Sequence, residues 1–393
     1  MEFYNYNPEW EVKAEDIINQ LKSIFKENVI DIQHIGGTAV KRIKSKPVID
    51  IVVGLDNLNI LENYIDILKS NGFIYNNKKI FYRHKTCVVY FVKYNSKSWF
   101  DYIVFRDYLN LNENKAREYE TLKLSVNGKY KNALPSYIKA KSDFINKTIS
   151  DNFYTVMLGK NITVDLDCKN LLNYPKYDDG VYPLNYGNIK NLGINAYVIG
   201  IYDYDMADQF TGKIIAYIDN GNEKIFIAAK KDMIFYKPDI LKAVKFLNIE
   251  YKNIVCLYEK SCGAVVFAKD EDIIKFLLIK GSASNSIGFP KGHIEENETE
   301  AETAIREIYE ETSLNVILHS DFKEEYEYKI YGHIYKKVVC FLAEFNITDK
   351  YKIRDNEILE QWLVPYDKAY ELLTFSQAKN ILKKAYEKIK NIK

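Results

Sequence analysis

Apolar positions recur along this chain in three successive patterns. In residues 1–152, helical and strand periods alternate: Ile17, Ile18, Leu21, Ile24 and Phe25 fall at helical spacing and predict a helix with one buried stripe. Residues 29–35 and 48–55 predict strands, the second so continuously apolar that both its faces should be covered. A second amphipathic helix is predicted over 58–70, a strand over 86–94, and helix again over 117–149. Between 153 and 257 the runs become short, β-branched and aromatic (162–166, 196–202, 213–218, 225–228) and are split by Asn, Gly and Asp. That pattern predicts a small barrel or sandwich, closed by a helix over 239–247. From 258 the α/β pattern resumes, with strands at 263–267, 273–279 and 337–345 and a long helix after the second. A C-terminal helix carries Ala378, Ile381, Leu382, Ala385 and Ile389 on one stripe. The expected fold class is a multidomain α/β and β protein, with domains at 1–152, 153–257 and 258–393.

Composition narrows the function classes. Lys+Arg 55 against Asp+Glu 54 leaves a net charge of +1, so no global field draws the chain to nucleic acid or anionic lipid. Every strongly apolar run is broken early by a charge, as Lys275 breaks 273–279, so no membrane span is expected. The segment 1–10 is aromatic and acidic, unlike a secretory signal. Cys87, Cys168, Cys256, Cys262 and Cys340 are odd in number and lack zinc spacing, which suits free packed thiols in a reducing cytoplasm. Nothing specifies a protein partner.

The most informative stretch runs from Gly288 to Leu314. Asn297, with Glu300 three residues on, reads as a helix cap, and Ala301, Ala304, Ile305 and Ile308 as the buried stripe. Glu307, Glu310 and Glu311 stand at i, i+3 and i+4, so their carboxylates share one patch of helix surface. Like charges there repel by about 0.2–0.5 kcal/mol per pair, and a divalent cation reverses that sign. Hard oxygen ligands suit magnesium or manganese. The string Gly292, five residues, Glu298, seven residues, then Arg306-Glu307-Ile308-Tyr309-Glu310-Glu311-Thr312-Ser313-Leu314 resembles the Nudix box, G-x5-E-x7-R-E-U-x-E-E-x-G-U. Only its last glycine is missing, replaced by Ser313 where the chain is expected to need φ > 0, with modest local strain.

The resemblance implies an α/β/α sandwich and magnesium- or manganese-dependent hydrolysis of a nucleoside diphosphate linked to another group, a nucleotide small-molecule substrate. It implies Glu310 and Glu311 as main metal ligands, Glu307 as a further ligand or base, Arg306 as their orienting cation, and Gly292 as a carbonyl ligand. Gly288-Phe289-Pro290-Lys291-Gly292-His293, with Tyr326, Tyr328, Lys337 and Trp362-Leu363, resembles the asymmetrical diadenosine tetraphosphatase subgroup, which cleaves to ATP and AMP. In that resemblance Lys291, His293 and Lys337 meet substrate, Tyr326 and Tyr328 stack on base, and Glu357 or Glu360 assists the base.

Two further strings precede this one. His34-Ile-Gly36-Gly37-Thr-Ala-Val40, Lys46-Pro-Val-Ile-Asp50-Ile51 and Phe105-Arg-Asp-Tyr-Leu109 resemble the GrpB family, of nucleotidyltransferase-like fold. Paired acids at i and i+2 hold magnesium in that superfamily. Here Asp50 is followed by Val52, so a transferase site is incomplete, while His34, Gly36, Gly37, Lys46 and Asp50 remain a candidate ligand site. In the middle, 181–187, 211–215 and 219–224 resemble family I inorganic pyrophosphatase, a small barrel. Its D-x-D-x-x-D acids are replaced by 190–195, which contain Lys190 and Asn195, and the spacing at Asp203, Asp205 and Asp208 lies out of place, so this domain is expected to be inactive. The leading expectation is a nucleoside polyphosphate hydrolase; the rivals are a nucleotide-binding sensor or scaffold, and nucleotidyl transfer by the first domain.

Overall fold

A computed structural model describes residues 2–76, 80–83, 86–129, 134–166, 184–200, 208–282, 286–330, 333–350 and 358–391. Cys168, residues 181–183, Asp203, Asp205 and Glu357, all singled out above, lie outside the described residues. The chain divides into two compact units, Met1–Asp232 and Met233–Lys393.

The first unit opens with α1 (Glu9–Phe25), β1 (Asp31–Ile35) and β2 (Ile49–Leu55). There follow α2 (Ile65–Ser70), β3 (Ile74–Asn76), β4 (Ile80–Arg83), β5 (Cys87–Lys93), α3 (Lys97–Leu111), α4 (Glu113–Lys129) and α5 (Leu134–Met157). The sheet order is β1-β2-β5-β4-β3, with only β2 and β5 parallel. Ile49, Ile51, Val53 and Leu55 alternate onto one face, where they meet Trp10, Ile17, Leu21 and Phe25 of α1. Val52 is fully buried on the other face, so β2 is covered on both sides as its continuous apolarity requires.

Three local expectations change. The helix expected over 58–70 begins as a 3-10 turn, Leu58–Tyr64, with Asn57 accepting from the Asn59 amide, and becomes α-helical only in α2. The helix α3 has no counterpart in the sequence reading: Trp99, Phe100, Ile103, Val104, Phe105 and Leu109 are buried around much of its circumference, which erases a single stripe. The helical stretch over 117–149 is two helices, and Pro135 falls in the first turn of α5, where a missing N–H is tolerated.

The last turn of α5 leads into a closed barrel of β6 (Asn161–Leu166), β7 (Asn185–Ile189), β8 (Asn195–Val198), β9 (Gln209–Asp219) and β10 (Lys224–Ala229). Neighbours run β10-β8-β7-β6-β9, and the β9–β10 hairpin closes the ring. Tyr154 of α5 lies 4.8 Å from Phe226 and 5.6 Å from Tyr217 between ring centroids, so the helix is anchored on the barrel.

The second unit contains α6 (Lys237–Ala243), β11 (Ile254–Cys256), β12 (Tyr258–Asp270), β13 (Ile273–Gly281), β14 (Ile287–Gly288), β15 (Lys291–His293) and α7 (Glu300–Thr312). It ends with β16 (Ile317–Ile330), β17 (Ile334–Glu344), β18 (Ile358–Pro365), α8 (Tyr366–Leu372) and α9 (Ser376–Lys390). The helix assigned to the barrel over 239–247 is the short α6 of this unit, where Tyr236 covers Lys260 with the ammonium 4.4 Å from the ring. The mixed seven-stranded sheet follows the path β14-β13-β12-β17-β16, with β15 on β12 and β18 on β13; β12 and β17 run parallel. One face packs Val265, Phe267, Phe276 and Leu278 against Ala378, Ile381, Leu382, Ala385 and Ile389, the stripe predicted for α9. The other packs Cys262, Ala264, Val266 and Val339 against Ala304 and Ile308 of α7. Two helical layers thus enclose one sheet. Among the described residues no helix is long and apolar enough to cross a membrane.

Candidate active site

The glutamates of the second unit are placed by how α7 starts. Thr299, not Asn297, is the cap: its hydroxyl accepts from the Glu302 amide at 3.2 Å, and the Glu302 carboxylate accepts from the Thr299 amide at 2.8 Å. Asn297 takes a left-handed φ of 66° in the preceding turn, a conformation outside the extended region a cap needs. With that start, Ala304, Ile308, Glu311 and Thr312 face the sheet, whereas Ile305, expected in the stripe, is exposed. Ser313 ends the helix at φ 64°, the left-handed conformation that favours glycine.

Arg306 ties the acids together. Its Nε donates to Glu298 Oε1 at 2.6 Å, Nη1 to Glu307 Oε1 at 2.8 Å and Glu310 Oε2 at 3.0 Å, and Nη2 to Glu298 Oε2 and the His293 carbonyl at 3.0 and 2.9 Å. The guanidinium, with the Thr303 hydroxyl, holds the Glu298 carboxyl down at about 2. Glu307 responds the other way: burial raises its pKa despite Arg306. Glu311 is buried and accepts the Lys291 amide at 3.0 Å, while Glu310 is half-exposed. Gly292 completes the seat, because a Cβ there would lie 2.0 Å from the Glu307 carboxyl group. Only glycine lets β15 pass this close to the carboxylate.

Strand alternation sorts the remaining residues. Register pairs His293 with Ser261, Ser261 with Val338, Val338 with Tyr326, and Lys336 with both Glu259 and Tyr328. Lys291, His293, Tyr326, Tyr328, Glu259 and Lys336 therefore share one sheet face. Tyr326 and Tyr328 stack there at 6.0 Å, and Tyr326 packs against the core on this face, as Trp362 does. His293 Nε2 lies 3.2 Å from Glu259 and 3.3 Å from Lys336 Nζ. Lys337 is the exception among the expected substrate residues. It points to the opposite, α7 face and pairs with Glu325 at 2.6 Å, and that carboxylate raises its pKa. Lys336, which the sequence reading passed over, stands beside His293 instead. Counting alternate positions from Tyr326 and Tyr328 across the hairpin was the signal that could have found it. Glu360 pairs with Lys280 at 2.9 Å across β13 and β18.

The donors fit a hard cation in kind, since the set consists of carboxylates and the Gly292 carbonyl with no thiolate. In arrangement they are engaged elsewhere: among the described residues no three acidic, His or Cys side chains are grouped to hold a metal ion. Glu307 and Glu310 face Arg306, and Glu311 faces the Lys291 amide. Glu310, on a half-exposed side chain, can exchange the guanidinium for a cation.

The five N-terminal candidates do not gather in one place. Ile35 is opposite Asp50 and His34 opposite Ile51, so His34 faces α1 and Asp50 faces the other side. His34 Nε2 lies 2.9 Å from the Thr38 hydroxyl and lines an open cleft of 330 Å³ with Glu11, Arg106 and Asn110. Burial, then the Arg106 charge, lowers its pKa to about 4. Gly36, Gly37, Lys46 and Asp50 cluster on the far side. In the barrel, Asp219 and Lys224 pair with each other at 3.0 Å, and Asn188 donates to Asn195 at 3.2 Å.

Residues 1–151 match the family model described as GrpB protein, and residues 257–386 match that of the NUDIX domain. The glutamate-rich protein GrpB of Alkalihalophilus pseudofirmus is 35% identical over 145 residues, 33% of this chain and 83% of that protein. The asymmetrical bis(5'-nucleosyl)-tetraphosphatase of Rattus norvegicus is 30% identical over 141 residues, 33% of this chain and 93% of that protein. A solved binary complex of the C. elegans Ap4A hydrolase is 26% identical and covers 34% of this chain and 99% of its own, with a TM-score of 0.33.

Proposed function

We infer a hydrolytic function from the chain's membership of two families: it belongs to the GrpB family over residues 1–151 and to the Nudix family over residues 257–386. The Nudix domain supports a pyrophosphohydrolase. Within that class our reading is hydrolysis of a dinucleoside polyphosphate, cut off-centre so that diadenosine tetraphosphate yields ATP and AMP. The observation that carries the hydrolytic chemistry is the Arg306 hub, which holds Glu298, Glu307 and Glu310 in one network beside Gly292, where the Glu307 carboxylate leaves no room for a Cβ.

In this reading Glu307, Glu310, Glu311 and the Gly292 carbonyl hold magnesium or manganese. A divalent cation there supplies charge neutralisation of the polyphosphate and a more acidic water. The chain's own residues do the positioning. Arg306 fixes the rotamer of Glu307, and burial raises the basicity of that carboxylate toward that of a working proton acceptor. Lys291 and Lys336 place positive charge, with the His293 ring beside them, on the sheet face where the phosphates would run. The stacked Tyr326 and Tyr328 give that face an aromatic end for a base. Such a pocket grips one nucleoside and measures phosphates from it, which places the attacked phosphorus away from the middle of the chain.

The test is turnover of diadenosine tetraphosphate by the full chain with magnesium, beside Glu310→Gln. The substitution keeps the side chain's size and removes its charge, so the rate should fall by about two or more orders of magnitude while circular dichroism is unchanged. Near-unaltered turnover by Glu310→Gln would remove the glutamates from the chemistry.

A further inference from the structure

One carboxylate on the phosphate-bearing face of the second unit has no part in the hydrolysis proposed for it. Glu259 lies near the start of β12, where register sets it beside Lys336 of β17. Its Oε2 lies 3.2 Å from His293 Nε2 and 3.7 Å from Lys336 Nζ, and those two nitrogens are 3.3 Å apart. Glu259 is 28% exposed and Lys336 15%, so water screens a charge at either only in part. The Glu259 pKa is lowered by the hydrogen bond with His293, against burial, and further by Lys336 and Lys237. Lys237 opens α6, outside the segment that matches the Nudix family; burial lowers its pKa while Cys256 and Glu259 oppose that. Burial lowers the Lys336 pKa too: Glu259 opposes it, Lys291 adds to it and Glu307 opposes it again. At the aromatic end, burial raises the Tyr328 pKa and Glu259 adds to the rise. The field of this one carboxylate therefore spans the face from His293 to the stacked tyrosines.

The place of this charge is what makes it informative. An anion that engages the Lys336 ammonium meets Glu259 at the same nitrogen. Like charges a few ångströms apart repel far more strongly at a partly buried site than across bulk water. A phosphate esterified within a chain has one ionised oxygen, whereas a terminal phosphate carries about 1.5 to 2 negative charges near pH 7. Glu259 therefore acts more strongly on a chain end than on a chain interior. We propose that Glu259 is a specificity-determining residue, which penalises a free terminal phosphate beside Lys336 and His293 and so favours a polyphosphate esterified by a nucleoside at both ends. The proposal rests on the phosphate path of the hydrolytic reading. It adds an element of exclusion to the attraction that Lys291 and Lys336 supply, and discrimination needs both. Lys237 supports the ionised carboxylate from outside the Nudix segment.

The test compares two ligands of equal phosphate number, diadenosine tetraphosphate and adenosine 5'-tetraphosphate, of which only the second has a free end. Isothermal titration of the full chain gives both dissociation constants, with calcium supplying a metal's charge without magnesium's strict octahedral geometry. The unaltered chain should bind the dinucleotide more tightly. Glu259→Gln should move the ratio of the two constants about tenfold toward adenosine tetraphosphate, the effect of removing one nearby like charge. Glu259→Ala, also neutral, takes its place if that variant does not fold, and Glu259→Asp, which keeps the charge, should keep the ratio. A carboxylate that only braces the sheet would weaken both ligands alike. An unmoved ratio, no binding of either ligand, or a Glu259→Asp ratio that follows Glu259→Gln overturns the proposal. Turnover of both ligands with magnesium separates the two readings. A shifted ratio without hydrolysis leaves Glu259 its role and rejects the hydrolytic reading; hydrolysis with an unmoved ratio does the reverse.

Discussion

Among the described residues, two places press a glycine against a carboxylate so tightly that no Cβ fits: Gly292 against Glu307, at 2.0 Å, and Gly36 against Asp50, at 2.2 Å. The backbone device is the same and the electrostatic surroundings are opposite. Around Glu307 stand Glu298, Glu310 and Glu311; one arginine is shared by Glu298, Glu307 and Glu310, and Glu311 accepts from the Lys291 amide. Beside Asp50 the nearby charge is that of Lys141, Tyr90 reaches it at 3.5 Å, and Val52 fills the place of a second acid. The first place gathers several carboxylates about one arginine; the second holds a single carboxylate beside a lysine. A close glycine–carboxylate contact therefore does not define a metal site, and the sign of the surrounding charge does.

The sharpest way to break this contrast is to give the first unit its missing acid. Val52→Asp puts a carboxylate at a fully buried position on the Asp50 face. We expect a loss of about 1–3 kcal/mol in urea denaturation, the cost of burying a polar group where an apolar one packs. A loss below about 1 kcal/mol, inside the range of ordinary surface pairs, would mean the site has room for paired acids and the contrast fails. Gly292→Ala attacks the other side of the comparison. The added methyl must displace Glu307, and a displacement of about 1 Å should lower turnover about 100-fold with little change in substrate affinity. Unchanged turnover would separate Glu307 from the chemistry.

A pH experiment sharpens the lysine side. Burial and Lys141 bring the Lys123 ammonium from its ordinary 10.5 to about 7, with Glu120 opposing. Between those values the unfolded chain binds more protons than the folded one, so stability from this group rises with pH across the window. The unaltered chain should gain about 1 kcal/mol from pH 8 to pH 9 relative to Lys123→Met, which lacks the titrating group. Parallel profiles for the two would show that Lys123 is fully charged in the fold. The smallest effect belongs to Ser313→Gly. Its φ of 64° costs a residue with a Cβ about 1 kcal/mol, so the glycine variant should melt about 2–4 °C higher with the same activity.

Local patterns carried much of this in advance. The α9 stripe and the glutamate spacing of α7 are periodic, and periodicity survives folding when one face meets a core. The helix α3 was hidden because it is apolar on several sides, and the cap moved from Asn297 to Thr299 because both residues offer an oxygen and only backbone conformation chooses. Lys336 and Lys337 are adjacent in sequence and on opposite faces of a sheet, so a shift of one position exchanges their environments. The proximity of Lys46, Lys123 and Lys141 was invisible for another reason: they come from three distant segments that only the tertiary fold brings together.

The central claim is that the second unit's carboxylates cut a dinucleoside polyphosphate off-centre. The most direct test incubates the full chain with diadenosine tetraphosphate and magnesium in water enriched in oxygen-18, separates the nucleotides by chromatography and weighs them by mass spectrometry. Equal amounts of ATP and AMP, with the label in one product only, are the predicted result. Two equivalents of ADP, or no turnover beside rapid hydrolysis of a nucleoside triphosphate or nucleotide sugar, would contradict it.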